Sequence, residues 1–139
     1  MSTDPRSLPH HRPRLLVLVL LGGTAGTSVR HATAEVVPVW HDVPVGTLAV
    51  NLVGAFLLGV LLEALVLRGA DVGQRRDVRL LLGTGFLGGL TTYSTFALES
   101  QRLLDGGPAG VGLAYAVGTV VAGLLLAAAG VASARRWRP

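Results

Sequence analysis

From Val45 to Leu67 the chain carries a single ionisable side chain, Glu63. Three further stretches are comparably apolar: Leu15 to about Val29 and on towards Ala34, about Leu80 to Leu98, and Gly110 to about Ala134. A helix needs about 20 mostly apolar residues to cross a hydrocarbon layer. Three of the stretches reach that length outright, and the first does so with Arg30 at the interface. Blocks of this length exceed what a small water-surrounded core can bury. Charged residues are only 14% of the chain, against about a quarter in a soluble domain.

The expected fold is therefore all-α, an integral membrane protein with four transmembrane helices over about 15–34, 45–67, 80–98 and 110–134. Residues 1–14, rich in proline, histidine and arginine, read as a flexible tail, and residues 135–139 as a basic C-terminal tail. The connections, about 31–44, 68–79 and 99–109, are short, so function must reside between helices. A cleavable signal peptide is a competing reading of the first block: Arg6, Arg12 and Arg14 precede it and Ala32-Thr33-Ala34 follows. The glycine-rich Gly22–Gly26 segment favours a retained span.

Arginine placement sets orientation, since cytoplasmic loops are enriched in Lys and Arg. Ten of the 12 arginines fall in the N-terminal tail, the second connection (Arg68, Arg75, Arg76, Arg79) and the C-terminal tail. Only Arg30 and Arg102 fall on the other side. Both termini are expected in the cytoplasm, in the cell membrane. The net charge of +4 comes wholly from arginine, and these residues flank apolar blocks instead of interleaving with aromatics. Nucleic acid is not an expected partner; the lipid bilayer is.

Several chemistries are excluded. With no cysteine, disulfides and thiolate metal sites are impossible. The four histidines lie outside the apolar blocks without ligand spacing. No nucleophile–base constellation is present, so no enzyme is expected. Residues 83–88 match GxGxxG, but no strand precedes them, and a chain without lysine cannot carry a Walker loop.

The third block reads Gly83-Thr84-Gly85-Phe86-Leu87-Gly88-Gly89-Leu90-Thr91-Thr92-Tyr93-Ser94-Thr95-Phe96. Adjacent glycines followed by threonines are poor helix formers, which places a break near Gly88–Thr92. Backbone groups freed inside a membrane must be buried or bind something, and freed carbonyls suit a small hard cation. A glycine seam for close packing, with threonines bonded back to their own helix, explains the same residues. In the second block Asn51 is the only amide side chain of any span. Unpaired in hydrocarbon it would cost several kcal/mol, so it faces protein or water, as an interhelical bond or as a ligand. Gly54, Ala55 and Gly59 mark a face that another helix can approach closely.

Three segments, GGTAGTSVR (22–30), GTLAVNLVGAFLLG (46–59) and GTGFLGGLTTYSTFALE (83–99), resemble the Fluc (CrcB) family of fluoride channels, in its order and spacing. The resemblance covers nearly the whole chain after residue 14. It implies an antiparallel dimer of four-helix subunits with the third helix broken mid-membrane. It implies a structural sodium ion (Na+) at the dimer centre, held by backbone carbonyls matching Gly88 and Thr91. It implies two fluoride pathways lined by phenylalanines, of which Phe96 matches the second while Tyr93 replaces the first. Asn51, Ser94 and Thr95 would offer N–H or O–H donors to the ion. On the fourth helix Tyr115 and Thr119, one turn apart, fall where the family has a polar track, although Gly123 stands where a further hydroxyl is expected. An interfacial anchor explains Tyr115 equally well. Arg30 and Glu99 match positions at the aqueous mouths and read equally as ordinary interfacial charges; Glu63 is expected to be solvated.

Family members made from one gene insert in both orientations, which requires weak arginine bias. Ten against two is strong bias, so this chain is expected to pair with an oppositely oriented paralogue. Two other functions compete. A small multidrug-type cation/proton antiporter also has four short helices, but it needs a carboxylate embedded in the first helix, and this one has none. A non-conducting membrane scaffold leaves the polar GGLTTYST segment without a purpose.

Overall fold

The structure is a computed structural model and describes residues 13–40, 42–106 and 109–136. The described residues are helical apart from short connections and one isolated bridge between Trp40 and Val43. Helix α1 spans Pro13–Val36, α2 Val45–Leu67, α3 Gln74–Val78, α4 Gly88–Leu90, α5 Tyr93–Gly106 and α6 Ala109–Arg136, with a π-helical segment, Arg79–Leu87, between α3 and α4. Among the described residues, three helices are long and apolar enough to cross a membrane: Pro13–Val36, Val45–Leu67 and Gly110–Arg136.

Helix α1 opens on Pro13, where a missing N–H costs nothing and the fixed φ already suits a helix. Pro13 and Arg14, assigned from sequence to the N-terminal tail, are thus helical; the rest of that expected tail lies outside the described residues. At the other terminus α6 takes in Arg135 and Arg136, and residues 137–139 lie outside the described residues. His31, expected beyond the apolar blocks, stands within α1.

The third apolar stretch, expected over about 80–98 with a break near Gly88–Thr92, runs in pieces from Gln74 to Gly106. Its π-helical segment was not anticipated. There the Gly88 N–H reaches the carbonyl of Gly83, five residues back, in the wider winding that recurs at functional sites. Sequence periodicity gives no sign of it, because adding one residue to a turn changes no residue type.

Glycine contacts explain how the helices come together. A Cβ built on Gly22 would overlap the Leu81 carbonyl, and one on Gly26 the Phe86 carbonyl; Gly89 meets the backbone of Gly23 in the same way. Between α2 and α6, Gly59 lies against the Ala127 carbonyl and Gly130 against that of Phe56. Such contacts suit lipid, where apolar side chains gain nothing by leaving their surroundings and close packing drives association. The buried apolar cluster is correspondingly small, Val50, Leu87 and Leu90, while Leu20, Leu124 and Leu125 stand exposed on the outer faces.

At the end where α1 begins and α6 finishes, three ion pairs tie the elements: Arg14–Asp77 at 2.6 Å, Arg79–Asp71 at 2.7 Å and Arg135–Glu63 at 2.8 Å. Glu63 is therefore not the solvated charge expected from sequence; its side chain is 15% exposed and clamps α2 to α6. The hydrogen bond from Arg79 holds the Asp71 carboxyl below its ordinary pKa.

Candidate functional site

Between α4 and α5 the helix stops. Thr91 adopts extended geometry, φ −78° and ψ 154°, and the axis resumes at Tyr93. The break is bridged from α2. The Asn51 Nδ2 donates to the Thr92 carbonyl at 3.0 Å, and the Thr92 N–H donates to Asn51 Oδ1 at 2.8 Å. The carboxamide thus gives the Thr92 N–H the acceptor that the break removes, as buried polar groups require, and adds a donor to the Thr92 carbonyl. Thr92 then caps α5: its Oγ1 accepts the Thr95 N–H at 3.3 Å, a hydroxyl in the role that N-cap residues fill. Hydroxyls of Thr95, at 3.1 Å, and Ser94, at 3.4 Å, gather on the same atom.

These bonds divert two donors. In a continuous helix Thr92 N–H would serve the Gly88 carbonyl and Thr95 N–H the Thr91 carbonyl; here both point elsewhere. Gly88 and Thr91 therefore present carbonyl oxygens relieved of their helical donors, a donor set of the kind a hard cation takes. The expected alternatives coexist: Thr91 Oγ1 bonds back to the Leu87 carbonyl at 2.9 Å, and the glycine seam packs α1 beside the break.

An open groove of about 410 Å³ runs past this point and is lined by Asn51, Gly88, Thr91, Tyr93, Phe96 and Thr119 among others. The structure thus brings six of the sequence-derived residues to one surface. Tyr93 is 80% exposed, and its ring lies 6.2 Å from that of Phe96, which lies 5.7 Å from that of Tyr115. The rings form a tilted row, so ring edges as well as faces are presented. Ser94 and Thr95 do not line this groove; they turn to the Thr92 hydroxyl.

Tyr115 is buried, 6% exposed, which does not suit an interfacial anchor. It lines a second groove, along α2 and α6, that shares Thr119 with the first. The Tyr115 hydroxyl donates to Glu99 Oε2 at 2.9 Å, and Thr47 Oγ1 donates to Glu99 Oε1 at 2.7 Å. The Thr119 hydroxyl donates to the Tyr115 carbonyl at 2.6 Å. Arg30, half-buried near the end of α1, makes no ion pair among the described residues, with Glu99 or any other carboxylate. Sequence reasoning missed Thr47 and Thr92. Thr47 was within reach, four residues before Asn51 and so on its face of α2; Thr92 needed the break located to the residue.

The family described as CrcB-like protein, Camphor Resistance (CrcB), matches residues 17–131. Fluoride-specific ion channel FluC 1 of Cutibacterium acnes is 50% identical over 125 residues, 89% of this chain and 87% of the relative. FluC 2 of Leifsonia xyli subsp. xyli is 45% identical over 88% of this chain and 85% of its own length. FluC of Pyrococcus furiosus is 43% identical over 88% of this chain and 98% of its own length. The match runs through the glycine seam, the Asn51 bridge and the interrupted third stretch alike, and the chain belongs to the CrcB family.

Proposed function

We propose that this chain is one subunit of a fluoride-selective channel that lets fluoride leave the cytoplasm passively and so limits its toxicity. The observation that carries this reading is the likeness, over nearly nine-tenths of the chain, to relatives named as fluoride-specific ion channels. The groove beside the break supplies a physical route. Fluoride is small and strongly hydrated, so each water removed must be replaced by a donor. The edges of Tyr93 and Phe96 carry positive potential, and Asn51 keeps one amide hydrogen beyond its bond to Thr92. Ser94 and Thr95 stand beside the groove at the Thr92 hydroxyl, and the hydroxyls of Tyr115 and Thr119 would serve the ion by turning from their acceptors, Glu99 and the Tyr115 carbonyl. Weak donors in series let the ion depart as well as enter, which a lysine would hinder.

The groove is open on one side, and an antiparallel second subunit would close it. In that arrangement the third stretch is a fourth span broken near the membrane centre, and two breaks meet. The Gly88 and Thr91 carbonyls of both subunits would then hold a structural sodium ion, which supplies a hard oxygen-ligated link between the copies. Arg30 and Glu99 flank the mouths as vestibule residues. The chain lies in the cell membrane with both termini cytoplasmic, and with ten arginines against two it inserts mainly one way. Its partner is accordingly an oppositely oriented paralogue, with Tyr93 adapted to one of the two routes.

Fluoride-electrode efflux from liposomes tests this with two preparations. One is the chain alone; the other is two copies joined through an added transmembrane helix that inverts the second. The tandem is expected to release fluoride and retain chloride, and the lone chain to release little. Robust conduction by the lone chain would remove the paralogue from the account. Absence of fluoride release from both would remove the channel function.

A further inference from the structure

The two ends of the molecule differ sharply in charge. Among the described residues, the end where α1 begins and α6 finishes holds seven arginines and three carboxylates. The opposite end holds Arg30 and Arg102 against Glu35, Asp42, Glu99 and Asp105. At the basic end each carboxylate is already bonded, Asp77 to Arg14, Asp71 to Arg79 and Glu63 to Arg135. Arg75 straps the turn before α3 through a 2.8 Å bond to the Ala70 carbonyl. Arg68, Arg76 and Arg136 have no carboxylate partner among the described residues.

Arg76 is the informative member. Its Nε is covered by protein and meets no acceptor. A covered N–H left without an acceptor is costly, and the side chain as a whole is only half-buried. It lies within Coulombic reach of Asp71, but that carboxylate is held by Arg79. Nε thus lacks an acceptor, and the remainder of the side chain is partly exposed.

We propose that Arg68, Arg76 and Arg136 bind the phosphate groups of anionic lipids in the leaflet around this end. Arg68 follows α2, Arg76 lies within the short α3 and Arg136 ends α6, where apolar helix gives way to polar connection and headgroups are the nearest anions. Juxtamembrane basic clusters are drawn to anionic surfaces. That every cation is arginine fits phosphate in particular, since the planar fork pairs two phosphate oxygens at once where an ammonium offers a point charge. The acidic opposite end repels the same lipids, so lipid binding favours one orientation of the chain. The inference rests on membrane insertion and not on fluoride conduction.

The test uses the purified full chain in detergent, by native mass spectrometry and thermal melting with added phosphatidylglycerol, phosphatidylcholine or inorganic phosphate. Phosphatidylglycerol is expected to be retained at least about threefold over phosphatidylcholine and to raise the melting temperature, as juxtamembrane arginines near anionic headgroups require. The triple variant Arg68→Gln/Arg76→Gln/Arg136→Gln should lose that preference, while Arg102→Gln at the acidic end keeps it. If the triple variant does not fold, Arg76→Gln alone should weaken the preference. Equal retention of both lipids, an unchanged preference in the folded variants, or full replacement of the lipid effect by inorganic phosphate would each overturn the proposal.

Discussion

Asn51 and Thr92 form a closed pair in which one carboxamide serves both the N–H and the carbonyl of a single residue, at 2.8 and 3.0 Å. The pair makes the interruption of the third stretch a stable feature instead of a fault, and it relieves the Gly88 carbonyl of its helical donor, as the Thr92 cap does for the Thr91 carbonyl. Leucine at this position keeps the volume and removes both bonds. The Thr92 N–H left unpaired costs about 1–3 kcal/mol, so Asn51→Leu is expected to lower unfolding stability in detergent and to abolish transport together. Leu125→Ala on the exposed face serves as the control. A variant of wild-type stability would show that the bridge does not hold the break.

Gly26 and Gly118 offer a matched comparison. A methyl on Gly26 would collide with the Phe86 backbone, whereas one on Gly118 meets nothing within 4 Å. Backbone cannot yield as a side-chain tip can, and overpacking costs about 1–3 kcal/mol. Gly26→Ala is expected to lose stability of that order in thermal melts, and Gly118→Ala to melt like the parent chain.

Tyr93 carries a hydroxyl with no hydrogen-bond partner among the described residues, on a ring that is 80% exposed. Tyr93→Phe keeps the positive ring edge, so fluoride efflux from the inverted tandem is expected to change by less than about threefold. A loss beyond tenfold would assign the hydroxyl itself to the route.

Asp71 titrates below its ordinary value because Arg79 bonds its carboxylate. A depressed folded pKa stabilises the protein above the unfolded value of about 3.9, and the contribution fades as pH falls through the folded value. The pair is exposed, so its effect is small and screened by salt. Melting curves of the parent and Asp71→Asn are expected to differ slightly at neutral pH and low salt, and to converge in acid.

Much of this was legible in the residues. Three spans could be placed by length and apolarity alone, because α1, α2 and α6 are single helices whose outer faces meet lipid. The break was legible too, since Gly88-Gly89 and Thr91-Thr92 weaken a helix wherever they stand. What stayed hidden was pairing. Glu63 looked like a solvated end-of-helix charge because its partner, Arg135, is 72 positions away. Glu99 could be read as a vestibule or an interfacial charge, but not as a group whose two oxygens Thr47 and Tyr115 meet from different helices. The π-helical winding of Arg79–Leu87 leaves no trace in composition, and the dual service of Asn51 depends on a contact between residues 41 positions apart.

Phe96 gives the most direct test of the central claim, that fluoride passes along the groove beside the break. Its ring lies between those of Tyr93 and Tyr115, so replacing it removes the middle of the row. Fluoride efflux from liposomes carrying the inverted tandem should fall at least about tenfold when Phe96→Ile is made in both copies, the edge potential of the ring being lost. Leu125→Ile on the outer face should leave it unchanged. Unaltered fluoride release by a correctly folded Phe96→Ile tandem would contradict the account.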